Sequence, residues 1–255
     1  MKNIVSFSGG KDSTAMLLLM LEKEIPVDEI YFADTGVEFP EMYEYIDKVE
    51  KYIGQPITRL KPKKSWDDWF YKPFSRGKNK GLNHGFPFVI GNGCWAKRDL
   101  KLAQLQKIEE KGDHVYIGIA VDEKERLKRD NYENNPEKYK FPLVEWGITE
   151  ADCINYLKAK GLENPLYERF DRLGCWMCPK QNLKSLKSLY LYYPELWTKL
   201  KQYEQDSPHG FRLDYTLDEL ELRFKIGNEF LQQYEIPDNS KLRKAIISDL
   251  RKVIK

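Results

Sequence analysis

A short β-branched and aromatic run, Asn3-Ile4-Val5-Ser6-Phe7, leads into Ser8-Gly9-Gly10-Lys11-Asp12-Ser13 and then into the apolar, helix-forming stretch 14–21. That order predicts strand, glycine turn, helix. Two adjacent glycines let the backbone curl close to a ligand, while Ser13 and Thr14 can cap the helix or bond outward. The amides of the first helical turn then face whatever anion sits there. The pattern is a phosphate cradle in outline. It is not a Walker A loop, which needs four residues between its first glycine and a Gly-Lys-Ser/Thr, nor a Gly-x-Gly-x-x-Gly dinucleotide fingerprint. An ordinary βα turn would satisfy the same pattern.

The turn resembles the pyrophosphate-binding PP-loop of the adenine-nucleotide α-hydrolases. Four further motifs, in order, carry a resemblance to their phosphoadenosine phosphosulfate reductase-like branch over about residues 3–180. Asp34-Thr35-Gly36-Val37-Glu38-Phe39-Pro40-Glu41 closes a second predicted strand, 27–33, where that branch places its adenosine. Cys94, Arg98, Leu100 and Lys101 resemble its Cys-x-x-Arg-x-Leu-Lys, with one extra residue before Arg98. Gly118, Asp122, Glu123 and Arg126 match its phosphate- and ribose-holding segment, although Ala120 stands where the sulfonucleotide reductases carry an arginine. The run 141–157 resembles its Pro-Leu-x-x-Trp-x-x-x-Asp-Val-x-x-Tyr-Leu helix, for which Thr149 and Asp152 form a capping box.

The resemblance implies an α/β fold, a Rossmann-like (HUP-type) parallel sheet carrying the PP-loop, followed by a mainly helical C-terminal region. The expected division is an adenine-nucleotide-binding domain, 1–160, and a region 161–255 holding Cys175-x-x-Cys178 and helices near 183–192, 194–204, 217–233 and 241–253. It implies nucleotide binding by Ser6, Ser8, Gly9, Gly10, Lys11, Asp12, Ser13, Asp34, Thr35, Gly118 and Asp122. Lys11, Asp12 and Arg126 are the expected catalytic residues, with ATP or a related adenine nucleotide and Mg2+ as ligands.

The four cysteines are Cys94, Cys153, Cys175 and Cys178. In a reducing compartment Cys-x-x-Cys points more to metal or redox chemistry than to a disulfide. Cys94 ahead of a predicted helix is placed to become a thiolate. Cys94, Cys175 and Cys178 fit a [4Fe-4S] cluster with one open iron, or a Zn2+ site completed by another ligand. A plain redox dithiol or an inert pair fits the same spacing. Cys153 lies on an apolar stripe with Ile154 and Leu157 and reads as a small core hydrophobe.

Three functions follow. The first is ATP-dependent activation of a nucleic-acid or small-molecule acceptor coupled to sulfur transfer through the cluster, as in PP-loop thiolation enzymes. The second is an adenylylsulfate or phosphoadenylylsulfate reductase forming sulfite. Against it, the family's nucleophile lies in a Glu-Cys-Gly-x-His tail, and no cysteine follows Cys178. The third is a nucleotide-binding subunit of a nucleic-acid modification complex. Its polyanion contact would be the glycine-rich loop 75–93 with Arg76, Lys78, Lys80 and His84, which equally suits a lid over an anionic substrate. With 42 basic against 40 acidic residues, any polyanion site must be local. A sulfur or electron donor protein is the expected partner, and a homodimer the expected assembly. No apolar run approaches the ~18 residues of a membrane span, and no signal-peptide layout opens the chain, so the expected location is cytoplasmic.

Overall fold

In the computed structural model, β1 (Asn3–Phe7) pairs in parallel with β2 (Glu29–Ala33) on one side and β4 (His114–Ile117) on the other. Two further strands, β3 (Thr58–Leu60) and β5 (Tyr139–Lys140), complete a five-stranded parallel sheet ordered β3-β2-β1-β4-β5. Parallel neighbours need crossover connections, and the chain supplies them with α1 (Lys11–Glu22) after β1 and α2 (Pro40–Ile53) after β2. The result is the Rossmann-like fold expected from the sequence, with helices in the C-terminal region. The structure describes residues 1–88, 93–108, 110, 112–128 and 130–234, with side chains to 226 apart from those of 130 and 131. The predicted helix 241–253 lies outside the described residues.

Two compact units form, one from Met1–Trp66 with Cys94–Trp176 and the other from Asp67–Gly93 with Met177–Lys255. In the first, Ile4, Val5, Phe7, Ile30, Phe32 and Val115 of the sheet are buried. Every residue of α1 from Ser13 to Leu18 is buried too, because the helix packs against both β1 and α7 (Glu150–Ala159). That explains why 14–21 is apolar all round rather than striped. The helix α7 starts at the expected capping box: Asp152 N donates to Thr149 Oγ1 at 3.1 Å, and Thr149 N donates back to Asp152 Oδ2 at 2.9 Å. Strand β5 occupies a stretch whose sequence reads as a polar connector. At two residues it is too short for an alternation signal, and only its pairing with Val115 and Tyr116 reveals it.

The second unit holds α8 (Leu183–Tyr192), α9 (Pro194–Asp206) and α10 (Leu217–Tyr234), close to the helices expected there. It also takes in 67–88, which a division at residue 160 assigns elsewhere. The reason is aromatic packing: Phe70 lies 4.9 Å from Tyr203 and Phe86 5.0 Å from Phe211, ring centre to ring centre. Just before the glycine-rich loop, Pro73 bridges Asn83 within it, and His84 stacks on Phe74 at 4.1 Å. In the same unit Trp197 is buried and Tyr190 meets it edge-on at 5.5 Å, whereas Tyr192 is exposed.

Candidate functional site

In a sheet of this order, ligands collect at the carboxyl ends of the strands where the winding direction reverses, between β1 and β4. The loops leaving those two strands touch. A Cβ on Gly118 would stand 2.6 Å from both the Cα and the N of Ser13, so only glycine allows β4 to end against the turn that follows β1. Gly9 takes φ +71°, and a Cβ there would meet Met42 Sδ at 2.3 Å. The turn is braced internally, since Ser8 N donates to Ser13 Oγ at 3.2 Å and Gly10 N to Ser8 Oγ at 3.3 Å. Gly10 caps α1 without a side-chain bond.

A cleft of about 340 Å³ opens over this turn, within the roughly 300–1,000 Å³ range of small-molecule sites. Of the residues expected to contact nucleotide or act on it, Ser8, Gly10, Lys11, Asp12, Ser13, Gly118 and Arg126 line it. Among the described residues, Ser6, Gly9, Asp34, Thr35 and Asp122 do not. Ser6 pairs within the sheet between Tyr31 and Ile117. The Asp34 carboxylate accepts from Gly36 N at 2.9 Å and from the Tyr43 hydroxyl at 2.8 Å. Asp122 accepts the Glu150 amide at 3.1 Å and so anchors the start of α7.

Four basic side chains, Lys11, Lys101, Arg126 and Arg172, face five acidic ones, Asp12, Glu38, Glu123, Glu150 and Asp171. The Lys11 ammonium binds Glu150 and, at 3.1 Å, Asp12. Burial works against its charge, but those two carboxylates hold its pKa above the usual lysine value. Burial raises the Asp12 pKa against the pull of Lys11, and Asp12 Oδ1 is buried without a hydrogen-bond partner among the described residues. One oxygen each from Asp12, Glu123 and Glu150 lies within 4.8 Å of the others. Arg126 pairs with Glu123 across a 3₁₀ helix, Val121–Lys128, that kinks at Glu123. Glu123 was expected within the nucleotide-holding segment, whereas the place of Glu150 beside Lys11 was not legible in the sequence, because a carboxylate near a helix start reads first as a cap.

The cysteines divide between the units. Cys94 precedes a π-helix, Ala96–Leu102, that continues as α4 (Ala103–Ile108), and its Sγ accepts from Lys97 N at 3.2 Å. π-Turns are rare and gather at functional sites. This one presents Lys101, whose ammonium lies 3.2 Å from the buried Glu38 carboxylate. Burial opposes that charge, and Glu38, then Cys175 and Cys94, raise its pKa. Thr35 Oγ1 donates to Glu38 at 2.9 Å and lies 3.8 Å from Cys175 Sγ. Cys94, Cys175 and Cys178 are half-buried, and none of the four cysteines forms a disulfide. Cys178 belongs to the second unit. Cys153 is fully buried with Leu157, whereas Ile154, expected on the same stripe, is exposed, one helical position around from Cys153; burial, then Asp12, pushes the Cys153 thiol up to about 12.

Comparison with known proteins yields a match to a family described as phosphoadenosine phosphosulfate reductase domain, over residues 2–181. An uncharacterized protein of Methanocaldococcus jannaschii is 31% identical over 207 residues, 77% of this chain and 40% of that protein. A second from the same organism is 28% identical over 242 residues, 90% and 55% respectively. The chain thus spans 40% and 55% of the length of these two curated relatives. Adenosine 5'-phosphosulfate reductase 2 of Bacillus subtilis (strain 168) is 29% identical over 177 residues, 64% of this chain and 67% of that protein. No helix among the described residues is long and apolar enough to cross a membrane.

Proposed function

Since the chain belongs to the phosphoadenosine phosphosulfate reductase domain family, we propose that its cleft binds an adenine nucleotide, with the phosphates against the Ser8–Ser13 turn, and serves attack at the α-phosphorus. The reading rests on one observation: the N-terminus of α1, the Lys11 ammonium and three converging carboxylates share one cleft at the sheet's reversal point. The acceptor's oxygen attacks the α-phosphorus, the bond to the bridging oxygen breaks, and pyrophosphate leaves. Lys11 and Arg126 neutralise charge building on the departing phosphates, and the turn's amides orient them.

The cleft carries five acidic groups against four basic ones, so a polyanion gains most there when it arrives with a cation. Oxygen donors suit Mg2+, and Asp12, Glu123 and Glu150 would hold it. Bound there, it would offset phosphate charge. Lys11, now spanning Asp12 and Glu150, would turn toward the phosphates.

Cys94, Cys175 and Cys178 would hold a [4Fe-4S] cluster, a choice supported by three half-buried thiols. Such a cluster supplies an open iron for sulfur delivery; the same thiols could take Zn2+. Together these features support ATP-dependent activation coupled to sulfur transfer. Full burial of Ala120, where sulfonucleotide reductases carry arginine, supports the same choice. The Bacillus relative's name favours a second reading, reduction of adenylylsulfate or phosphoadenylylsulfate to sulfite.

Anaerobically purified protein, assayed with ATP and Mg2+ across tRNA and small-molecule acceptors, should release pyrophosphate. Unchanged ATP with every acceptor, alongside sulfite formed from a sulfonucleotide and reductant, would replace the first reading with the second.

A further inference from the structure

The amide of Lys11, the first residue of α1, is not free to meet an anion directly. It donates to the hydroxyl of Tyr167 at 3.0 Å, across 156 residues of sequence. The phenol is held there firmly. Asn164, itself buried, donates its side-chain amide to Gly9 O at 2.9 Å and accepts from Leu166 N at 3.0 Å, while Tyr167 N donates to Asn164 O at 3.1 Å. The tyrosine therefore arrives on a short 3₁₀ helix, Pro165–Glu168, tied to the same turn that would hold the phosphates. Its oxygen would lie 3.3 Å from a Cβ at Gly10, and the ring lines the cleft.

A hydroxyl that accepts one bond still has a proton to give. Among the described residues that proton has no acceptor, and the side of the hydroxyl left open is the cleft. We infer that Tyr167 is a ligand-binding residue that accepts from the Lys11 amide and donates its own proton to a phosphate oxygen, carrying the positive end of α1 one group further into the cleft. The inference rests on the nucleotide reading above. A bond to a charged oxygen is among the stronger ones, and polarisation through the Lys11 amide strengthens it further. Burial raises the phenol's pKa, which keeps the proton available at neutral pH. The opposite role is a plug, in which the hydroxyl occupies an amide that the ligand must win back. The two roles predict opposite signs.

Tyr167→Phe keeps the ring and removes only the oxygen. Isothermal titration with inorganic pyrophosphate and with ATP, each with Mg2+, should show affinity about tenfold weaker in this variant. The melting temperature without ligand should stay within a few degrees of wild type. The ³¹P resonance of bound pyrophosphate should also move, a change that a purely structural tyrosine would not cause. Equal affinity, or tighter binding by the phenylalanine variant, overturns the inference while leaving the nucleotide reading intact. Wild-type protein that binds neither ligand overturns both.

Discussion

Two hollows of similar size, in different units, use charge in different ways. The cleft over the Ser8–Ser13 turn measures about 340 Å³, and one among α8, α9 and α10 about 400 Å³. In the second, Glu221 accepts from Lys201 at 2.8 Å and from Trp197 Nε1 at 3.2 Å, and also pairs with Lys225. Lys201 in turn reaches Asp218 at 2.6 Å. These charges answer one another, and bonds from Lys201, then Lys225, hold the Glu221 carboxyl down to about 2. The first cleft sets five acidic groups against four basic ones and, among the described residues, leaves Asp12 Oδ1 without a hydrogen-bond partner. A closed network stabilises a fold, whereas an unbalanced one invites a ligand.

That contrast breaks if substitutions in the two hollows have the same consequence. The largest effect should come from Gly118→Ala, whose Cβ meets the Ser13 backbone rather than a yielding side chain. It should cost about 1–3 kcal/mol in denaturant unfolding and remove measurable pyrophosphate binding. Normal binding by this variant would show that the two loops separate easily. Next, Lys11→Met should weaken ATP about 10–100-fold by titration, the range for a lost charge-assisted contact. Retained affinity would shift the anion site away from this turn.

Glu221→Gln tests the other hollow and should leave nucleotide affinity unchanged while costing about 1 kcal/mol at neutral pH. Its pH dependence is diagnostic. The folded carboxyl titrates at about 2 against an ordinary 4.5, so its stabilisation is complete above 4.5 and fades as pH falls toward 2. The variant should lose that part of the acid limb in a pH series of unfolding curves; an unaltered limb would mean that the network contributes nothing. The smallest effect concerns Cys153 below Asp12. With its thiol pushed up to about 12, it should resist a disulfide reagent at pH 8 in metal-free native protein while Cys94, Cys175 and Cys178 react. Labelling of all four at one rate would place Cys153 outside the core.

Local features were legible wherever a single segment carried the cause. Thr149 and Asp152 cap α7 as their spacing requires, and the strand–turn–helix at the N-terminus follows from two glycines between an apolar strand and an apolar helix. Features made by distant segments were not. Nothing near Phe70 or Phe86 in the sequence says that they pack with Tyr203 and Phe211. The π-helix at Ala96–Leu102 has an ordinary helical composition, because the change from one turn geometry to another depends on what the segment packs against.

Sequence alone determined the strand, glycine turn and helix at the N-terminus and the family, because the turn's positive φ at Gly9 requires glycine and the flanking runs have strand and helix composition. Tertiary structure decided which groups join it. Glu150 reaches Lys11 from 139 residues away and Tyr167 from 156, brought there because parallel strands deliver their following loops to one edge of the sheet. Sequence spacing cannot encode that convergence, nor can composition show whether a charged side chain ends in a closed network or in an open cleft.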